Sequence, residues 1–221
     1  MPSKKVAAID LDGTIFEGFG DAIVESINNL FGVNISRTNL FNAYNIEACD
    51  EVRSKLPVSG WFDYIDEYLI ENRYYSTFKP IPDSHQGLDF LRSIGYELIV
   101  ITSRGSHLDE TQKGHLCDIM VEDTHKTLDQ YFPGYFSDVI FRPKGISKGE
   151  IASGRKATVL IEDSLTELLK SSDYIQKAVL VDRPYNQTNE SLRNNGDRHI
   201  VKEQRLFYRI PDLTYLNKLR L

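Results

Sequence analysis

Two aspartates separated by one residue, Asp10 and Asp12, follow a short apolar run and precede Gly13 and Thr14. The apolar run, residues 6–9, predicts a buried strand, which tolerates carboxylates only at its end. Side chains two positions apart in an extended chain point the same way, and two nearby carboxylates repel each other unless a cation or a shared proton intervenes. The stretch therefore indicates a site for a divalent cation and a phosphate, with an ordinary Asp-Gly turn as the alternative.

Two more apolar runs also end in polar or charged residues. Residues 98–101 lead into Thr102, Ser103 and Arg104, and residues 157–161 lead into Glu162 and Asp163. Strand patterns that alternate with helical patterns are typical of parallel βαβ units, and the carboxyl ends of such strands lie at one edge of the sheet. We therefore expect these three strand ends to converge.

The elements that position these ends predict an α/β fold with a parallel sheet of about five strands flanked by helices. The strand patterns cover residues 6–9, 96–102, 137–141, 157–161 and 177–181, and the flanking helical patterns cover residues 84–94, 108–120, 124–132, 148–153 and 166–171. Four further helical patterns, at residues 21–31, 36–44, 47–56 and 60–74, follow the first strand without a convincing strand among them. The tail from residue 194 has no clear pattern.

Composition narrows the functional classes. The chain has 221 residues, of which 41% are hydrophobic and 26% charged, with a net charge of −6. This net charge gives no support to binding of a nucleic acid polymer, which needs a basic face on the protein. No apolar run is long enough to span a membrane. With two distant cysteines, Cys49 and Cys117, and no signal-peptide pattern, we expect a soluble, cytoplasmic protein.

Four carboxylates at one sheet edge need compensation by a cation. Mg²⁺ is the natural choice because it prefers oxygen ligands and is held by carboxylates together with a substrate phosphate. The expected metal-binding residues are Asp10, Asp12, Glu162 and Asp163. Thr102 and Ser103, with the backbone N–H groups that follow them, would bind the phosphate. A lysine should balance the phosphate charge, and Lys148 is preferred to Lys144, which stays an alternative.

The same groups predict a mechanism for phosphate ester hydrolysis. Asp10, which ends the strand and is held more rigidly, would attack phosphorus and form an aspartyl-phosphate. Asp12, which lies in the turn, would protonate the leaving alkoxide and then deprotonate the attacking water. The cation, the lysine and the Thr102 site would stabilise the charge on the transferring phosphoryl group.

The ordered set of motifs resembles the haloacid dehalogenase superfamily. Residues 10–14 resemble its DxDGT signature, and Thr102, Lys148 and the Glu162-Asp163 pair are similar to its second, third and fourth motifs. The resemblance implies a Rossmann-like sheet, Mg²⁺ dependence and a phosphoaspartate intermediate, with the metal bound by the backbone carbonyl of Asp12. It also implies a core of residues 1–16 and 80–221 and a helical cap of the C1 type at residues 17–79.

Within that superfamily the chain is most similar to the 5'(3')-deoxyribonucleotidase-like group, because of the position of the helical cap and the stretches at residues 102–104, 160–164 and 182–186. Its fourth motif has Glu-Asp where better-known members have Asp-Asp, so either Glu162 or Asp163 is the direct metal ligand. The substrate expected from this resemblance is a nucleoside monophosphate. Phe16 and Phe19, which lie next to the turn at residues 10–14, are the candidates to stack on its base, and Arg104 is the candidate to contact its phosphate or base. The alternatives are a phosphatase of a sugar phosphate or phosphoglycolate, and a phosphate-binding module without turnover. We expect a monomer or a homodimer.

Overall fold

The computed structural model describes residues 5–36, 61–108, 110–183, 186, 200–202, 205–219 and 221. Nine strands occur in these ranges: β1 Lys5–Ile9, β2 Phe16–Glu17, β3 Lys79–Pro80, β4 Tyr96–Thr102, β5 Phe136–Phe141, β6 Ala157–Glu162, β7 Lys177–Val181, β8 Ile200–Lys202 and β9 Arg205–Ile210. Seven of them form one sheet in the order β5-β4-β1-β6-β7-β9-β8. All neighbours in it are parallel except β8, which runs antiparallel to β9. The predicted α/β fold with a parallel sheet is confirmed, and the unassigned tail supplies two of the strands.

The described helices are α1 Phe19–Phe31, α2 Trp61–Glu71, α3 Ser84–Ser93, α4 Glu110–Tyr131, α5 Lys148–Gly154 and α6 Leu165–Ser171, with 3₁₀ turns at Tyr74–Ser76 and Leu213–Lys218. The two helices predicted at residues 108–120 and 124–132 are one helix, α4, because residues 121–123 contain no proline or glycine to end it. The helix predicted at residues 60–74 stops earlier, before Arg73 takes a left-handed conformation with a φ of 55°. The predictions for residues 36–44 and 47–56 lie almost entirely outside the described residues.

The hydrophobic core occupies both faces of the sheet because successive side chains of a strand point to opposite faces. On one face Ile9 and Ile161 pack with residues of α1, α2, α3 and α4. On the other face Ala8 and Leu160 pack with residues of α5 and α6. The central strands are thus covered on both sides, which explains their continuous apolar sequences and leaves their carboxyl ends as the place for polar groups.

The chain leaves and re-enters this core region through a short antiparallel pair. Phe16 of β2 pairs with Pro80 of β3, and Glu17 pairs with Lys79. The segment between them includes α1 and α2, and its division from the core as a cap stays a prediction. None of the described helices is both long and apolar enough to cross a bilayer.

Candidate active site

A buried lysine joins the ends of two neighbouring strands. Asp10 follows β1, Glu162 ends β6 and Lys148 begins α5, and each of the three residues is at least 96% buried. The Nζ of Lys148 donates to Oδ1 of Asp10 and, over 2.6 Å, to Oε2 of Glu162. The backbone N–H of Asp10 donates to the carbonyl of Ile161 over 3.0 Å, so β6 also holds the main chain at this point.

The start of α5 is shaped to place Lys148 at this position. Ser147 caps the helix, because its hydroxyl oxygen accepts a backbone N–H from the first turn. The backbone N–H of Lys148 itself donates to Oε1 of Glu167 over 3.0 Å. A Cβ at Gly149 would lie 2.6 Å from Cα of Ser171, so only glycine allows α5 to pack this closely against α6.

Asp163 and Thr14 complete the cluster. Oγ1 of Thr14 lies 3.2 Å from Oδ2 of Asp10 and 3.5 Å from Oδ1 of Asp163. Among the described residues, Asp10, Glu162 and Asp163 form a group whose carboxylate oxygens lie within 4.8 Å of one another. Gly13, with a φ of 83°, allows the loop to turn so that Thr14 points back to Asp10.

Burial and mutual repulsion shift the ionisation of the cluster. Burial, with a further contribution from the charge of Glu162, raises the pKa of Asp10 to about 7 against the opposing effect of Lys148. Burial and the charges of Glu162 and Asp10 raise the pKa of Asp163 well above its usual range. Burial alone would lower the pKa of Lys148, but the two carboxylates raise it above its usual value, so its ammonium group stays charged.

The donor set of this cluster fits a hard divalent cation. Three carboxylates contact or face a single ammonium group, so the fully ionised cluster would carry two excess negative charges. No histidine or cysteine of the described chain joins the group, and all-oxygen ligands favour Mg²⁺ over zinc. Asp10, Glu162 and Asp163 are therefore the residues that would hold the cation.

Asp12 lies outside the cluster because Arg104 binds its carboxylate. Nε and Nη2 of Arg104 donate to the two oxygens of Asp12 over 2.8 and 2.6 Å, and Nη1 donates to Oγ1 of Thr124 over 3.0 Å. The guanidinium carbon lies 4.3 Å from the ring centroid of Tyr75 and 5.6 Å from that of Phe78. Burial opposes the charge of Arg104, but Asp12 raises the pKa of Arg104 above its usual value. Arg104 is a buried partner of Asp12.

One buried carboxylate connects α2 with the loop that carries Arg104. Asp66 accepts a hydrogen bond from the hydroxyl of Tyr75 and another, over 3.1 Å, from the backbone N–H of Gly105. Nδ1 of His107 lies 3.2 Å from the same carboxylate. Through Tyr75, this network supports the ring that stacks on Arg104, so residues of the segment 17–79 help to fix the position of Asp12.

The phosphate-binding candidates lie at the end of β4. Thr102 is buried, and its Oγ1 accepts the backbone N–H of Arg104 over 3.2 Å. Ser103 is partly exposed, and its Oγ accepts a hydrogen bond from Nε of Arg142 over 3.1 Å. Lys144 is exposed in the loop before α5, whereas Lys148 is the lysine that reaches Asp10.

The two aromatic candidates for substrate contact differ in their surroundings. Phe16 is fully buried and packs edge-on against Phe132, with ring centroids 5.5 Å apart. Its ring therefore has no open face for a base in this structure. Phe19, at the start of α1, is only partly buried and packs edge-on against Phe78.

Sequence reasoning assigned no role to three residues that contact the site loops. Thr14 belonged to the first motif, but it had no assigned contact. Arg183 and Asn186 belong to the stretch after β7 that marked the family resemblance, and they hydrogen-bond to the loops after β1 and β6. The sequence did contain a signal for Arg183 and Asn186: they are polar residues that follow another strand of the parallel sheet, so they lie at the same sheet edge.

Comparison with protein families matches residues 4–202 to one model, described as 5' nucleotidase, deoxy (pyrimidine), cytosolic type C protein. No curated protein sequence matches the chain.

Solved structures with the same fold include one described as a predicted phosphoglycolate phosphatase from Haemophilus somnus, with a TM-score of 0.61 and 16% identity over 99% of this chain and 98% of that one. Another is a haloacid dehalogenase-like hydrolase from Streptococcus pneumoniae, with a TM-score of 0.53 and 14% identity over 99% of both chains. At these identities the structural similarity establishes the fold alone.

Proposed function

We propose that this protein hydrolyses nucleoside monophosphates with Mg²⁺. The chain belongs to the 5' nucleotidase, deoxy (pyrimidine), cytosolic type C family and is a phosphatase of the haloacid dehalogenase superfamily. One observation supports a phosphatase site above the others. Lys148 contacts both Asp10 and Glu162 at adjoining strand ends, with Asp163 beside them. The arrangement supplies a carboxylate nucleophile, a fixed positive charge and oxygen ligands in one buried place.

Asp10 is the proposed nucleophile. Its position directly after β1, and its contacts with Lys148 and Thr14, restrict the carboxylate to a narrow range of orientations. One of its oxygens attacks phosphorus, the bond from phosphorus to the ester oxygen breaks, and an aspartyl-phosphate forms. Lys148 stays beside the reacting oxygens and offsets the negative charge of the incoming phosphate.

Asp12 is the proposed general acid and base. In the structure Arg104 occupies both of its oxygens, so Asp12 must leave this pair before it reaches the ester oxygen. Asp12 takes up a proton from solvent as it leaves Arg104 and gives this proton to the leaving alkoxide. The resulting carboxylate takes a proton from the water that hydrolyses the aspartyl-phosphate, and this proton returns to solvent when Asp12 pairs with Arg104 again. Arg104 is the resting partner of Asp12 between turnovers.

Thr102 and Ser103 are proposed to bind the phosphate oxygens. The Oγ1 of Thr102 uses a lone pair to accept the N–H of Arg104, which leaves its own hydrogen for a phosphate oxygen. Asp10, Glu162 and Asp163, together with the backbone carbonyl of Asp12, would hold the cation, which would stabilise the charge on the phosphoryl oxygens.

The choice of a nucleotide rests on the family to which the chain belongs. Phe19, which is partly buried in the segment between β2 and β3, is the aromatic side chain proposed to contact the base or sugar. The proposed location, the cytoplasm, agrees with the family's description as cytosolic.

A panel of phosphate esters tests this function. Phosphate release is measured for dUMP, dTMP and their 3'-isomers, and for 2-phosphoglycolate and glucose 6-phosphate, with Mg²⁺ and with chelator. We expect Mg²⁺-dependent turnover of the deoxynucleotides well above that of the other esters. Preference for phosphoglycolate or the sugar phosphate would contradict the substrate, and no turnover of any ester with Mg²⁺ present would contradict the activity.

The matched variants are Asp10→Asn and Asp129→Asn. Asp129 is an exposed residue of α4, so its substitution makes the same chemical change away from the site. Asp10→Asn should remove measurable turnover because an amide is a far weaker nucleophile than a carboxylate, whereas Asp129→Asn should keep wild-type turnover. Retained activity in Asp10→Asn would rule out Asp10 as the nucleophile.

A further inference from the structure

The polar stretch after β7 contacts both site loops but has no role in the proposed chemistry. Arg183 follows this strand by two residues, and Asn186 lies three positions further on. The two residues are also joined to each other, because the backbone N–H of Arg183 donates to Oδ1 of Asn186 over 3.1 Å. They therefore form one hydrogen-bonded unit at the same sheet edge as Asp10 and Asp163.

Arg183 holds the loop after β1 by its main chain. Its Nε donates to the carbonyl of Gly13, and its Nη2 donates to the carbonyl of Thr14 over 3.2 Å. Its Nη1 donates to the carbonyl of Asp182 over 3.1 Å, so every nitrogen of the guanidinium is engaged with the backbone. The side-chain hydroxyl of Thr14 is the group that lies between Asp10 and Asp163.

Asn186 holds the loop after β6. Its Nδ2 donates to the carbonyl of Asp163 and to the carbonyl of Val181, each over 2.8 Å. The side chain of Asn186 thereby spans the ends of β6 and β7. Because it restrains the main chain of Asp163, it also restrains the direction in which that carboxylate leaves the strand end.

Strand β9 supports this unit from the other side. Nε of Arg209 binds the carboxylate of Asp182, and its Nη2 donates to the carbonyl of Asn186 over 3.3 Å. The backbone N–H of Asp182 donates to the carbonyl of Ile210 over 2.8 Å. The unit is therefore anchored in the sheet rather than in the loops that it holds.

We propose that Arg183 and Asn186 are positioning residues that set the spacing of the cation ligands by holding the Gly13–Thr14 loop and the main chain of Asp163. This inference rests on the proposed Mg²⁺-dependent function. The side-chain nitrogens described for both residues donate to main-chain carbonyls rather than to the carboxylate oxygens that would bind the ion. They act through Thr14 and Asp163, in the way that outer partners of metal ligands orient the ligands themselves.

Metal affinity, measured without substrate, tests the inference. Mg²⁺ binding is followed by calorimetry on the wild type and on Arg183→Gln and Asn186→Ala, with the melting temperature of each measured in chelator. Removal of such outer partners weakens metal binding by about 10- to 100-fold, and we expect a loss in this range for both variants. The milder variant Arg183→Lys keeps the charge but not the forked donors, so it should show a smaller loss and serves if Arg183→Gln does not fold.

Arg155→Gln is the matched control. Arg155 is an exposed arginine paired with Asp138 at 2.9 Å, so its replacement removes a surface ion pair away from the site and should leave Mg²⁺ affinity unchanged. In turnover, the variants of Arg183 and Asn186 should need more Mg²⁺ for half-maximal rate, while KM for the nucleotide at saturating Mg²⁺ stays within about twofold of wild type.

Two results would overturn the inference. If Arg183→Gln and Asn186→Ala melt at lower temperature but bind Mg²⁺ as tightly as wild type, the unit only stabilises the fold. This outcome, in a wild type that hydrolyses nucleotides with Mg²⁺, leaves the proposed function intact. If the wild type binds no Mg²⁺ and hydrolyses no ester, the positioning role and the proposed function both fail.

Discussion

Replacing Lys148 with methionine removes the ammonium group that contacts Asp10 and Glu162. The side chain of Lys148 is 3% exposed, so solvent cannot replace the lost charge. Removing one partner of a buried ion pair costs about 3–5 kcal/mol, and we expect Lys148→Met to lose this much unfolding free energy at pH 8 without metal. The loss of a fixed charge beside the phosphoryl group should also lower kcat by about 10²–10³.

The stability cost of Lys148→Met should depend on pH. Without the lysine, the raised pKa values of Asp10 and Asp163 rise further, so the folded protein binds protons that the unfolded chain has already released. Stability then falls as pH rises from about 4, where unfolded carboxyls begin to ionise, to pH 8. Urea unfolding of wild type and Lys148→Met at pH 5 and pH 8 measures their unfolding free energies. The difference between the two proteins should be larger at pH 8.

Lys144→Met is the control for this experiment because Lys144 is an exposed lysine in the same loop. An exposed substitution of this kind should change stability by no more than about 0.5 kcal/mol and leave kcat unchanged. The reasoning would be refuted if Lys148→Met unfolded at the urea concentration of the wild type and kept most of its turnover. It would be refuted equally if Lys144→Met lost as much activity as Lys148→Met.

Three further predictions follow from neighbouring contacts. Burial raises the pKa of Asp10 to about 7 and raises that of Asp163 well above its usual range, so Mg²⁺ must displace protons from these ligands at low pH. Calorimetry should show affinity falling by at least about tenfold per pH unit below 7, and constant affinity from pH 6 to 8 would contradict this. Asp12→Asn should lower kcat for dTMP by about 10²–10⁴ and also unpair the buried Arg104, and wild-type kcat would exclude the acid–base role. Tyr75→Phe removes a donor to buried Asp66 and should cost about 1–3 kcal/mol in urea unfolding, with an unchanged midpoint as the contrary result.

The fold was predictable where local patterns decide it. The strands covered on both faces read as continuous apolar runs, and β1, β4, β6 and β7 lie close to their predicted positions. Strands β8 and β9 were not predictable because their sequences are mixed and their place depends on pairing: β9 pairs with β7, and β8 pairs with β9. The continuity of α4 was missed because a threonine in the middle of a helix resembles a helix start.

The site was predictable as far as strand ends determine it. The rule that parallel strands end at one edge brought Asp10, Glu162 and Asp163 together in sequence reasoning, and these residues adjoin in the structure. The pairing of Asp12 with Arg104 joins residues 92 positions apart, so no local pattern signals it. Phe16 was a candidate for substrate contact because of its nearness in sequence to Asp10, but its side chain is fully buried in the hydrophobic core.

The most direct test of the account is whether Asp10 carries the phosphoryl group during turnover. Wild type and Asp12→Asn are mixed with dTMP and Mg²⁺, quenched in acid, and mapped by mass spectrometry of their peptides. We predict a phosphoryl adduct on Asp10 of the wild type, and in Asp12→Asn an adduct that both forms and decays more slowly because the group that protonates the alkoxide and activates water is missing. Turnover of dTMP with no adduct on either protein, or an adduct on another residue, would contradict the account.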